Sequence, residues 1–283
     1  MFCDFHFHSQ YSDGLFTPQE LAEKLQAAHI EYAALCDHET TAGYPEMKAA
    51  CDAKGIKLLH GLELNTGDEG HTHVLCYGPG VLNPTLQADL QRRKKARQER
   101  ILLTLARLKE IGITLTPEHE QEVLTTGTPS RPHVARALAA EGICPNYQVA
   151  FDRYLNRGRP AYVPHQVDST METVALAAEC GCVPVLAHPM EIGIPLEAIH
   201  ALVLSLKEVG LQGMEVFHPS ANTRQTRALY AMARQENLLV TGGSDFHGDP
   251  TKTAAIGRFP GDWSTEREDA ERLWQAANNT LSV

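Results

Sequence analysis

Apolar and polar positions along this chain follow two periods. Seven short apolar runs, FCDFHF, EYAALC, IKLLHGLEL, THVLCY, CVPVLA, GMEVF and LLVTGG, read as strands, with amphipathic segments between them. Alternation of this kind predicts βαβ units and a parallel sheet. In TPQELAEKLQAAHI, Thr17 and Glu20 form a capping box and Pro18 takes the first helical position, so the segment predicts a helix. STMETVALAAECG and TRQTRALYAMARQEN predict further helices.

Residues 86–163 break the rhythm. They hold a long basic helix candidate, LQADLQRRKKARQERILLTLARLKEIG, then SRPHVARALAAEG and NYQVAFDRYLNRG, with no convincing strand. The pattern predicts a helical insertion over 86–163 between two parts of one barrel, 1–85 and 164–283. The segment carries 13 Lys and Arg against 8 Asp and Glu, so its net charge is +5 on a chain of −10. That asymmetry suggests an anion-facing lid over an acidic, metal-holding body, although the run from Arg92 to Arg100 reads equally well as a solvated helix face.

At 283 residues the chain can bury a large core. No membrane-spanning run is present, and MFCDFHFH lacks the basic start and apolar stretch of a signal peptide, which predicts a cytoplasmic protein with no membrane partner. The seven cysteines include no CxxC pair and are odd in number, against a disulfide framework; Cys36, Cys76, Cys180 and Cys182 lie in apolar runs and read as core.

Fourteen histidines, several closing apolar runs, point to metal. His6 and His8 end the first run, Asp37 and His38 follow YAALC, Glu63 follows LLHGL, His188 follows VPVLA, and Asp245 and His247 follow LLVTGGS. His73 is the exception, at the start of THVLCY. In a parallel α/β barrel the carboxyl ends of the strands converge on one mouth, so these residues would become neighbours. Imidazole and carboxylate without thiolate suit Zn, Mn or Fe. With Asp13, nine candidate ligands exceed what one ion uses, which implies two or three divalent ions. Such a cluster suits phosphate-ester hydrolysis, because it lowers the pKa of water and clamps phosphoryl oxygens.

Taken together, DFHFHSQYSDG, LCDHETTAG, GLELNT, HTHVLCYG, VLAHP and GGSDFH resemble the PHP (polymerase and histidinol phosphatase) family of metal-dependent phosphoesterases. With the SRPHVARAL helix, the chain is most similar to the bacterial subgroup of 3′,5′-nucleotide bisphosphate phosphatases and 5′→3′ exoribonucleases. The resemblance implies a distorted (β/α)7 TIM-like barrel and a trinuclear site: one ion on His6, His8, Glu63 and Asp245, a second on Glu63, His73 and His188, a third on Asp13, His38 and His247. It implies manganese, with iron or zinc as alternatives, and a hydroxide held by Glu63, Asp13 and His247. Arg131 and His133 of the RPH motif are expected to reach the substrate phosphate, and His218, ending GMEVF, is a further candidate. His71 reads as a surface neighbour of His73; His165 and His200 match no family ligand. The glutamate at position 39 departs from the family's usual aspartate. The expected activity is hydrolysis of nucleotide or short 5′-phosphorylated oligoribonucleotide phosphates, with no obligate protein partner; the rivals are a histidinol-phosphate phosphatase and a non-catalytic binding module.

Overall fold

In the computed structural model, residues 3–67, 72–165, 167–249, 254–259 and 266–279 are described. All seven apolar runs are strands: β1 (Cys3–Phe7), β2 (Tyr32–Leu35), β3 (Lys57–Thr66), β4 (Thr72–Tyr77), β5 (Val183–Leu186), β6 (Gly213–Phe217) and β7 (Leu239–Gly242). They pair in sequence order in one sheet. Its edges meet where the Asp245 amide donates to the His6 carbonyl at 2.8 Å and the His8 amide to the Phe246 carbonyl at 2.9 Å, so the sheet is a nearly closed barrel. Gly243 lets the edges approach this closely, since a Cβ there would lie 2.3 Å from the His6 Cβ.

The alternating pattern predicts a parallel sheet, but the sheet is mixed. β4 runs antiparallel to both β3 and β5, while the remaining pairs are parallel. The reason is length: a parallel return needs a crossover of about a dozen residues, and only five separate Thr66 from Thr72. The reversal accounts for His73. The start of β4 lies beside the end of β3, with His73 opposite Asn65, so His73 reaches the same mouth as the groups that end their strands.

The flanking helices are α1 (Pro18–Ala27) and α2 (Tyr44–Asp52), then α7 (Thr170–Glu179), α8 (Leu196–Glu208), α9 (Thr223–Gln235) and α10 (Glu266–Asn279). Thr17 and Glu20 form the capping box on α1, and Ser169 with Glu172 repeats it on α7. Between β4 and β5 the ordered elements are helical: α3 (Pro84–Glu110), α4 (Pro117–Thr125), α5 (Arg131–Ala140), α6 (Tyr147–Ala150) and a π-turn over Phe151–Leu155. Leu86 and Leu90 of α3 join the barrel's main apolar cluster, whereas Ile101, Leu105 and Leu108 pack with Val134, Leu138, Ala150 and Leu155 in a cluster of their own. α3 is thus a beam with one end in the barrel and the other in the helical segment. The seven cysteines are buried and free, as core cysteines should be. Among the described residues no helix is long and apolar enough to cross a membrane.

Candidate functional site

β1 alternates. Phe5 packs edge-on against Tyr77 and Phe7 joins Leu21 and Leu25 of α1, while His6 and His8 turn into the barrel mouth. Beyond β1 the loop from Ser9 to Gly14 is wound on the buried Asp37 carboxylate, which accepts from the Ser9 amide (2.8 Å), the Ser9 hydroxyl (2.7 Å) and the Ser12 hydroxyl (2.6 Å). This anchoring presents Asp13 to the mouth.

The structure brings all nine candidate ligands to one place. His6, His8, Glu63 and Asp245 offer atoms within 4.8 Å of one another; so do His8, Asp13, His38 and His247, and so do His38, Glu63 and His73. His188 closes the set, its Nε2 lying 3.1 Å from both Glu63 Oε1 and His73 Nδ1. Glu63 is the hub: Oε2 lies 3.2 Å from His8 Nε2 and from His38 Nδ1, and Oε1 lies 2.7 Å from His73 Nδ1. Three residues here hold left-handed backbone, Glu39 (φ 52°), His188 (φ 24°) and Asp245 (φ 48°). For residues with a Cβ that costs about 1–3 kcal/mol each and concentrates at functional sites.

Burial alone would raise the pKa values of the acids. The imidazoles outweigh it: His38, His6 and His73 hold the Glu63 carboxyl well below the usual range, and His247 leads the same effect on Asp13 and Asp245. Burial would in turn lower His8, yet Asp245 and Glu63 carry it up to about 10. The ionised acids therefore require positive charge, from protons on the imidazoles or from metal ions. The donor set fits metal. Glu215, on β6, accepts from His6 Nδ1 at 3.0 Å, and the Asp245 carbonyl from His247 Nδ1 at 2.8 Å. Each bond fixes the tautomer and leaves an Nε2 lone pair facing the carboxylates, the arrangement of a metal-ligating histidine. Among the described residues, buried Asp13 Oδ1 and Glu63 Oε2 have no hydrogen-bond partner, which oxygens awaiting a cation would show.

The cluster opens into a cavity of about 190 Å³ lined also by Pro132, Arg136, Tyr147, Glu191 and Asp249. A second cavity of about 280 Å³ shares Asp13, His38, His73 and His188 and adds Arg97, Arg100, Arg131, Phe151 and His165. Arg131 lies over the rings of Phe151 and Tyr162. His165 is buried and held down to about 2 by that burial and by the arginines, so it is neutral. His133 lines a third cavity of about 320 Å³; its Nδ1 is 2.8 Å from the Ser130 hydroxyl and its ring is hydrogen-bonded to the Ser12 backbone. His218 Nδ1 accepts from the Ser220 amide at 3.1 Å, which places the neutral ring's proton on Nε2, 3.6 Å from Asp245 Oδ2. His200 pairs with Glu236 at 2.9 Å, apart from the cluster, and His71 lies outside the described residues.

Several residues of the site escape sequence reasoning. Glu215 is one, and its only signal is an acid at the centre of the apolar run GMEVF. The basic run of α3 does not present a uniformly solvated face: Arg93 and Arg97 are buried, Arg97 paired with Glu39, and Arg93 with Asp89 and Asp168. Arg97 also donates to Asn65, whose amide meets His73 Nε2 at 2.6 Å. Arg136, which donates to the Asp13 carbonyl, has no signal beyond its place in SRPHVARAL.

Comparison with known proteins bears on this geometry. Residues 4–128 match the family model described as PHP domain. The chain is 32% identical over 248 residues to a protein of Haemophilus influenzae named 5′-3′ exoribonuclease, covering 86% of this chain and 89% of that one. It is 32% identical over 246 residues to a 3′,5′-nucleoside bisphosphate phosphatase of Chromobacterium violaceum, covering 86% of each. A solved structure from Bifidobacterium adolescentis, described as a metal-dependent phosphoesterase, superposes with a TM-score of 0.82 at 31% identity, over 95% of this chain and 96% of that one.

Proposed function

The chain belongs to the PHP domain family of metal-dependent phosphoesterases, and on that premise we propose that it releases phosphate from nucleotides, 3′,5′-bisphosphates among them, or trims short 5′-phosphorylated oligoribonucleotides. The observation that carries the substrate class is the pairing of two walls. Asp13, His38, His73 and His188 of the cluster line a cavity that is also lined by Arg97, Arg100, Arg131 and Phe151. A phosphate on the cluster thus has guanidinium groups and an aromatic face within the same enclosure, which suits a second phosphate and a base.

His6, His8, Glu63 and Asp245 would hold one ion, Glu63, His73 and His188 another, and Asp13, His38 and His247 a third; manganese is our first choice and iron or zinc the alternatives. Bound divalent ions would supply Lewis-acid activation of water and of the phosphoryl oxygens. The chain's own groups do the rest. Glu63, Asp13 and His247 surround the attacked position, Arg131 neutralises the phosphate, neutral His165 supplies a hydrogen bond without adding charge beside the arginines, and His218 presents its Nε2 proton on the Asp245 side. His133 ties α5 to the loop that carries Asp13.

The test is a panel of adenosine 3′,5′-bisphosphate, nucleoside monophosphates, 5′-phosphorylated oligoribonucleotides and histidinol phosphate, offered to manganese-loaded protein. Nucleotide turnover is expected. A preference for histidinol phosphate, or no phosphate release from any compound, overturns the assignment.

A further inference from the structure

Several arginines of α3 are paired with acids: Arg92 and Arg93 with Asp89 and Asp168, and Arg97 with Glu39. Arg136 differs. It makes no ion pair among the described residues, and its one hydrogen bond there runs from Nη2 to the Asp13 carbonyl. A guanidinium carries five N–H donors in a rigid fork, so one edge is fixed and the other is unspent. Arg136 lines both the 190 Å³ cavity over the cluster and the 320 Å³ cavity beside it. From α5, only Pro132 and Arg136 line the cavity over the cluster; His133 faces the neighbouring one, with its ring engaged by Ser130 and Ser12. A partly buried guanidinium without a carboxylate is costly unless an anion joins it.

We infer that Arg136 is an anion-binding residue of the site, holding a phosphoryl oxygen of the substrate with the edge left over from its bond to the Asp13 carbonyl. This rests on the phosphoesterase reading and adds a residue to it. One group then touches both the substrate and the loop that carries Asp13, so the phosphate and that carboxylate are set relative to each other by a single rigid plane. Lysine could supply the charge but not both edges.

The experiment titrates inorganic phosphate into manganese-loaded wild type, Arg136→Gln and Arg136→Lys, with bound metal and melting temperature measured on each. Charge-assisted hydrogen bonds of this kind correspond to about ten- to hundredfold in affinity. Arg136→Gln is expected to weaken phosphate binding by that factor, with metal content and melting temperature kept and KM raised in parallel. Arg136→Lys is expected to weaken it several-fold, and it serves if the glutamine variant does not fold. Unchanged phosphate affinity overturns the inference, and so does a loss of phosphate that merely follows a loss of metal. Wild-type protein that binds phosphate yet hydrolyses nothing would sink the phosphoesterase reading, while the comparison of variants still decides Arg136.

Discussion

Glu215→Gln is the sharpest single perturbation the site offers. Glu215 is fully buried on β6, and both of its oxygens are used: Oε1 takes the proton of His6 Nδ1 at 3.0 Å, and Oε2 takes the His188 backbone N–H at 2.8 Å. A glutamine has the same shape but only one acceptor oxygen. Either His6 loses the bond that fixes its tautomer, or the His188 amide meets an NH₂ group at a point where φ is already 24°. Partners of this kind are worth about 10–100-fold in metal affinity, or about 1.4–2.7 kcal/mol. Titration of manganese against a competing chelator should show that loss, and activity should return at high metal, because no group facing the substrate has changed. Affinity within twofold of wild type would refute the reasoning. So would an activity loss that excess metal leaves untouched.

Arg97→Met strands the Glu39 carboxylate, whose side chain is fully buried, and should cost about 3 kcal/mol in urea unfolding; Arg93, at 3.6 Å, is a weak substitute. Adding Glu39→Gln should recover most of the loss, and a single variant costing under about 1 kcal/mol would count against the pair. Burial holds His133 down to about 4, Arg136 adding to it and Asp13 opposing it. The folded state therefore binds this proton less readily than the unfolded chain. Its contribution is complete above pH 6.5 and fades as pH falls towards 4, by up to about 3 kcal/mol. His133→Gln should flatten that part of the stability curve, and parallel curves for the two proteins would be the contrary result.

Most of the candidate ligands were legible because they sit where an apolar run stops, and a strand's end is a local property of the sequence; His73, at the start of β4, and Asp13, in the loop after β1, are the exceptions. The direction of β4 was not legible from the alternation, although the five-residue gap before it carried the information. Glu215 could not be assigned to His6, because 209 residues separate them and only barrel closure makes them neighbours. The basic run of α3 misled for a related reason. Arg93 and Arg97 are buried against Asp168 and Glu39, which lie on other elements, so composition alone could not sort exposed arginines from buried ones. Arg136 shows the limit of motif reasoning: Arg131 and His133 drew attention as the motif's named pair, while the group lining the cavity over the cluster stood one turn further along α5.

The seam between β1 and the segment after β7 has a consequence in time. His6 and His8 leave the ribosome early, but the bonds that align them, from Asp245 to His6 and from His8 to Phe246, need residues made more than two hundred positions later. At ordinary rates of synthesis that wait is on the order of tens of seconds. Metal loading therefore belongs to the finished chain, and a prematurely terminated one, whatever helices and hairpins it had formed, would lack both the seam and the ligands needed to retain the ions.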